Sequence, residues 1–164
     1  MLFRTISYFR FLLKSSNQHG IHSPFVYTFV TKGLYKKRVK TNSFDSYSQL
    51  KTLSKKEQKI LTKIVNYFNI NTIHFDASNL IKNSKNKYNL LFLDNLNGIN
   101  IQSILKNSSN FFVLVHGIHQ DKNAQLKWVE IIKNEEATVT INLFYFGLIF
   151  FRKEQEKEHF NIRA

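Results

Sequence analysis

Up to about residue 70 the apolar positions recur at helical spacing, and from residue 71 onward they bunch into short unbroken runs. Leu2, Ile6, Phe9 and Leu13 fall on one side of a short amphipathic helix predicted over residues 4 to 14. Docking of that stripe on the core is its expected use, with contact to a membrane surface as the alternative. A loop, "SSNQHG", follows, and Ser23-Pro24 then marks a helix start. Serine caps the free amides, and proline at the first helical position gives up an N–H that had no partner anyway. That helix carries Phe25, Val26, Phe29, Val30 and Leu34. A polar stretch from Lys36 to Ser48 separates it from a longer helix near Leu50 to Phe68, striped by Leu53, Ile60, Leu61, Ile64, Val65 and Phe68.

The later runs are "NTIHFD", "YNLLFLD", "NFFVLV", "TVTINLF" and "FGLIFFR". Most are continuously apolar, as strands are when helices cover both faces of a parallel sheet. Helix-length segments, "NGINIQSILKN" and "DKNAQLKWVEIIKN", separate the second run from the third and the third from the fourth, so the succession is βαβαβ with right-handed crossovers. The last two runs, joined around Phe144 to Phe146, are close enough for an antiparallel hairpin. Between Asp76, which closes the first run, and Tyr88, which opens the second, stands only "ASNLIKNSKNK". One parallel crossover takes about 10 to 12 residues, so no further strand fits there.

A chain of 164 residues, 43% hydrophobic, can bury one sizeable core. The expected organisation is an N-terminal helical segment over 1–48 and an α/β unit over 49–164, forming a single globular body. Cysteine is absent, which excludes disulfides, thiolate metal sites and a cysteine nucleophile. Charge interrupts "MLFRTISYFRFLLK" too often for a signal peptide, and nothing reaches the roughly 20 apolar residues of a membrane span, so a cytoplasmic location is expected. The net charge is +13, and up to Lys63 the basic residues are opposed only by Asp45 and Glu57. Such a field suits nucleic acid or an anionic surface. Abundant Asn, Lys, Ile and Phe with little Gly, Pro and Ala also mark an AT-rich coding bias, which favours a merely solvated basic face over a nucleic-acid site.

The stretches "FLLKSSNQHGIHSPFVYTFVTK", "IVNYFNINTIHFD", "KYNLLFLD", "LKWVEIIKN" and "VTINLFYFGLIFFRKEQEKEHFNIR" resemble, in this order, a bacterial family of class I S-adenosylmethionine-dependent methyltransferases related to the O-methyltransferases. The resemblance implies a Rossmann-like sheet of order 3-2-1-4-5-7-6 with the last strand antiparallel, the cofactor lying across the carboxyl ends of the first strands. Strands two and three would fall within residues 77 to 87, which cannot hold them. The expected fold is therefore α/β, about five strands ordered 1-4-5-7-6, with N-terminal helices.

The family's first strand ends in an acidic residue and a glycine-rich turn that lets backbone amides approach the cofactor. Here Asp76 stands near the acidic position and Ala77 takes the glycine's. Asp94 keeps the strand-four carboxylate. At the end of strand five, His116 and Gly117 replace an acidic pair, and His119 keeps the family histidine. Asp76, Ala77 and Asp94 are thus vestigial cofactor-side candidates.

The tetrapeptide His-Gly-Ile-His occurs at His19 to His22 and again at His116 to His119, once in a loop and once at a strand end, which does not make a repeat. These histidines, with His74 and Asp94, are adequate zinc ligands by type. Loop histidines bonded to backbone are nevertheless the preferred reading, and no metal is expected. Nucleophile elbows and phosphate loops are absent. The expected function is that of a degenerate, methyltransferase-like pseudoenzyme that does not bind S-adenosylmethionine. The alternatives are an active O-methyltransferase with an atypical site and a basic nucleic-acid-binding or protein-interaction module. Loss of two strands leaves the first strand at a sheet edge, to be covered by the N-terminal helices or by a second copy in a homodimer.

Overall fold

The fold is known from a computed structural model, which describes residues 2–38, 44, 46–77, 88–97, 104 and 111–164. Among the described residues, four α-helices, α1 (Leu2–Lys14), α2 (Pro24–Phe29), α3 (Lys55–Phe68) and α4 (Lys122–Lys133), accompany six strands. The strands are β1 (Ile73–His74), β2 (Asn89–Leu93), β3 (Phe111–His116), β4 (Val139–Asn142), β5 (Phe146–Phe150) and β6 (Glu158–Asn161). They form one mixed sheet in the order β1-β2-β3-β5-β4-β6. β1, β2 and β3 pair in parallel, β4 and β6 likewise, and β5 runs against both its neighbours, β3 and β4. Apart from Asn97 and Ile104, the helix expected over "NGINIQSILKN" lies outside the described residues, as does the connection from 78 to 87.

Strand count differs from expectation: the sheet has six strands, not about five. The added β6 was illegible because Glu158, His159 and Asn161 are polar and only half-buried. Backbone pairing with β4 holds it at the edge, helped by a 2.9 Å contact between Thr140 Oγ1 and His159 Nδ1. β6 is also the last strand of the chain and runs parallel to β4, so the antiparallel strand is the fifth and not the last. β1 is shorter than the run "NTIHFD" suggested, because Phe75 leaves the ladder to pack on Tyr47 and Phe92.

Alternate residues of each central strand supply two cores, which explains the unbroken apolar runs. Leu90, Phe92, Phe112, Leu114, Phe146, Leu148 and Phe150 face Val26, Phe29, Leu61, Ile64 and Phe68 of α2 and α3. Leu91, Phe111, Val113, Val115 and Ile149 face Trp128 and Ile131 of α4. Ser23 caps α2 with Pro24 in its first turn, and the helix continues through a π-helical turn over Val30–Leu34. Ser54 and Glu57 cap α3 reciprocally, the side chain of each bonding the backbone N–H of the other.

The N-terminal helix docks through the face opposite to the one expected. Ser7 and Phe11 are buried, whereas Leu2, Ile6, Phe9 and Leu13 point to solvent. Tyr8 and Phe11 pack on Phe144, at ring separations of 4.8 and 5.6 Å, and Arg4 reaches Glu57 at 3.8 Å. These contacts fix the roll of the helix. The edge of β1 is covered in part by the N-terminal region, since the Ile73 N–H donates to Tyr47 Oη at 3.4 Å.

Candidate functional site

The carboxyl ends of β2 and β3, with the start of α4, border a cleft of about 480 Å³ whose walls include Thr52, Asp94, His116, Gly117, Gln120 and Asp121. In open α/β sheets ligands bind at this end of the strands. Two consecutive turns shape it. β2 stops at Leu93, so Asp94 projects exposed at its lip. β3 stops at His116, and Gly117 then takes φ +71°, a conformation that side chains resist. The Gly117 N–H donates to Tyr145 O at 3.0 Å, and its carbonyl accepts the Gln120 N–H at 2.9 Å, which closes the turn.

This turn gives each residue of the second His-Gly-Ile-His its own direction. His116 faces the cleft, Ile118 is buried in the core beneath α4, and His119 is buried on the other side of the turn. In the first copy, Gln18–Gly20 form a single 3-10 turn, only Ile21 is buried, and His19 and His22 are exposed. The shared spelling thus serves two unrelated backbones. Among the described residues, no group of three or more His, Asp or Glu is arranged to hold a metal ion.

His116 is held between two carboxylates. Its Nε2 lies 3.1 Å from Glu57 Oε1 and its Nδ1 lies 3.3 Å from Asp94 Oδ1. Ionised carboxylates only accept, so both bonds form together only when both ring nitrogens carry hydrogen. Phe92 and Phe146 pack beside the ring at 6.5 and 5.4 Å. Glu57 is itself nearly saturated: its Oε2 accepts from the Ser54 N–H and Oγ, each at 2.7 Å. Burial pushes the Glu57 carboxyl upward, but the Ser54 bonds, followed by the His116 contact, outweigh it and hold the group below the usual glutamate range. Both imidazole nitrogens of this cleft-lining residue thus face carboxylates.

His119 belongs to a separate buried network. Asn142 Nδ2 points at His119 Nε2 at 3.0 Å and donates to Asn161 Oδ1 at 2.9 Å, while Asn142 Oδ1 accepts the Phe144 N–H at 2.8 Å. Asn142 Oδ1 also lies 3.3 Å from His119 Nε2, so the tautomer decides whether that nitrogen accepts from the amide or donates to it, and the buried Nδ1 has no partner. Burial lowers the His119 pKa, opposed by the bond to Asn142. Phe144, at φ +70°, stacks on this ring at 5.2 Å. The strained residue is locked by aromatic packing.

Of the sequence-derived candidates, the structure joins only Asp94 and His116. Asp76 is exposed two residues past the end of β1, and Ala77 packs half-buried against the core under α4; neither borders the cleft. His19, His22 and His119 lie outside it as well. The residue that sequence reasoning missed is Glu57. Its available signal was the spacing Ser54-x-x-Glu57 at a helix start.

No protein-family model, no curated protein and no solved structure matches the chain at a significant level.

Proposed function

We propose that this chain is a reduced, methyltransferase-like pseudoenzyme that keeps the acceptor side of a Rossmann-like sheet and neither binds S-adenosylmethionine nor transfers its methyl group. The observation that carries the reading is the direct parallel pairing of β1 with β2, Ile73 with Leu90 and His74 with Leu91, across a connection confined to residues 75 to 88. A single crossover consumes about 10 to 12 residues, so two more strands with their helices have no chain to be made from. Apart from the added β6, the order β1-β2-β3-β5-β4, with β5 antiparallel, supports the reading, since the resemblance implies 1-4-5-7-6 once strands two and three are left out.

The residues present do not fit the cofactor. Ala77 stands where a glycine would let backbone amides approach, and its side chain packs half-buried against the core. Asp76 is exposed, two residues past the end of a two-residue strand. The strand whose carboxylate would hold the ribose hydroxyls has no room in the chain. On the acceptor side, His116 is tied to Glu57 and Asp94 and serves as a brace. A thermal-shift series with S-adenosylmethionine and S-adenosylhomocysteine at about 1 mM tests this, since saturating a site with micromolar affinity would add about 4 kcal/mol. An unchanged melting temperature is expected, and a rise of several degrees would overturn the reading.

A second reading, an active O-methyltransferase with an atypical site, draws on the cleft of about 480 Å³ beside Asp94, which has room for a small acceptor. It requires the same thermal shift together with methyl transfer that is lost in Asp94→Asn.

A further inference from the structure

The sheet and the cleft leave one side of α1 unused. Its inner side is fixed on Phe144 and Glu57, and its outer side presents Leu2, Ile6, Phe9 and Leu13 at 75, 42, 62 and 88% exposure. Four large apolar side chains in one stripe on a docked helix mark an interaction face. We infer that this face rests on an anionic phospholipid bilayer, with α1 lying in the plane of the headgroups.

Length and charge support that occupant. A helix of 13 residues is about 20 Å long, well short of the roughly 30 Å hydrocarbon core, and among the described residues no helix is long and apolar enough to cross a membrane. The helix therefore lies on the bilayer and does not span it. It contains no acidic residue, and Arg10 and Lys14 flank the stripe, exposed. The first turns of α3 add exposed Lys55, Lys56 and Lys59. Lys56 is placed beside α1, because it and Arg4 both lie over the Tyr145 ring, at 5.0 and 5.8 Å. Basic side chains of this kind reach the phosphates of an anionic leaflet while apolar ones enter the acyl boundary.

Two other occupants fit less well. A second copy would meet a helix side offering roughly 400 Å², about half of the ~800 Å² per partner in a standard interface, and would bring its own +13 charge. Nucleic acid would pair the cations but leave Leu2, Phe9 and Leu13 in water.

Co-sedimentation of the full chain with phosphatidylcholine vesicles, and with vesicles about one-third phosphatidylserine, tests the inference. Binding is expected to the anionic vesicles only, weakening as salt rises from about 50 to about 500 mM. The double variant Phe9→Glu/Leu13→Glu should bind about a hundredfold less, because the apolar insertion is gone. Its circular dichroism and melting temperature should not change, since both side chains are exposed. Trp128 is buried, so a Leu13→Trp variant supplies the reporter, and its emission should shift to the blue on anionic vesicles. Failure to bind anionic vesicles at low salt overturns the inference. So does unchanged binding by the double variant, which would mean charge alone is responsible. A dimer by light scattering that the double variant splits would assign the face to a second copy, and nucleic-acid affinity lost in the double variant would assign it to nucleic acid.

Discussion

Glu57 Oε1 sits 3.1 Å from His116 Nε2 although 59 residues separate them in the chain. The contact ties the start of α3 to the end of β3, and through Asp94 to β2 and through Arg4 to α1. Glu57 is buried, so removing its carboxylate leaves His116 Nε2 and the Ser54 N–H without their partner. Glu57→Ala should cost about 3 kcal/mol in urea unfolding, and Glu57→Gln, which can still close the capping box, about half as much. The carboxyl is held below its unfolded value, so its contribution is full above the usual glutamate range and is lost as pH falls through the folded value. That part of the acid dependence should disappear in Glu57→Gln.

The neutral histidines predict a second pH dependence at higher pH. Burial lowers His119 and His159, and His74 as well, so between their folded and unfolded values the unfolded chain binds more protons. Stability should therefore be greatest above the usual imidazole range and fall as pH drops from about 7 to about 5. The slope, measured from unfolding midpoints across that range, should shrink in His119→Gln.

Asn142 satisfies His119, Asn161 and the Phe144 amide at once. Asn142→Ala leaves the buried His119 ring and Phe144 amide, and the half-buried Asn161, short of a partner and should destabilise by about 2 to 3 kcal/mol, with the loss read by chemical denaturation at neutral pH.

Gly147 lies under the indole of Trp128. A Cβ there would come within 2.6 Å of Trp128 Cη2 and Cζ3 and 3.1 Å of Ile118 Cγ2. Gly147→Ala should cost about 1 to 3 kcal/mol by overpacking, and pairing it with Trp128→Phe should recover part of that loss in a double-mutant cycle.

The Tyr47 hydroxyl is the acceptor that the Ile73 amide finds at the sheet edge. Tyr47→Phe keeps the ring on Phe75 but removes that acceptor. Hydrogen exchange at Ile73 should accelerate several-fold while global stability falls by about 1 kcal/mol or less.

How much was legible follows from where the signals lie. Two-sided burial wrote β2, β3 and β5 as unbroken apolar runs, and Ser23-Pro24 announced α2, because each signal is local. β6 left no such trace, since an edge strand with half-buried Glu158 and His159 is held by backbone bonds and not by a side-chain pattern. The roll of α1 was misread for a related reason. Leu2, Ile6, Phe9 and Leu13 make the stronger stripe in sequence, but the docked side is chosen by distant partners, Phe144 and Glu57. In the site, Asp94 and His116 could be named from strand ends. Their meeting with Glu57 could not, because it depends on how α3 lies against the sheet.

The central claim is that the cofactor half of the sheet is gone. The most direct measurement is a calorimetric titration of the full chain with S-adenosylmethionine up to about 1 mM, a concentration at which even a site with a binding free energy near −4 kcal/mol is half filled. No saturable heat is the predicted result, and a one-to-one isotherm in the micromolar range would contradict the account.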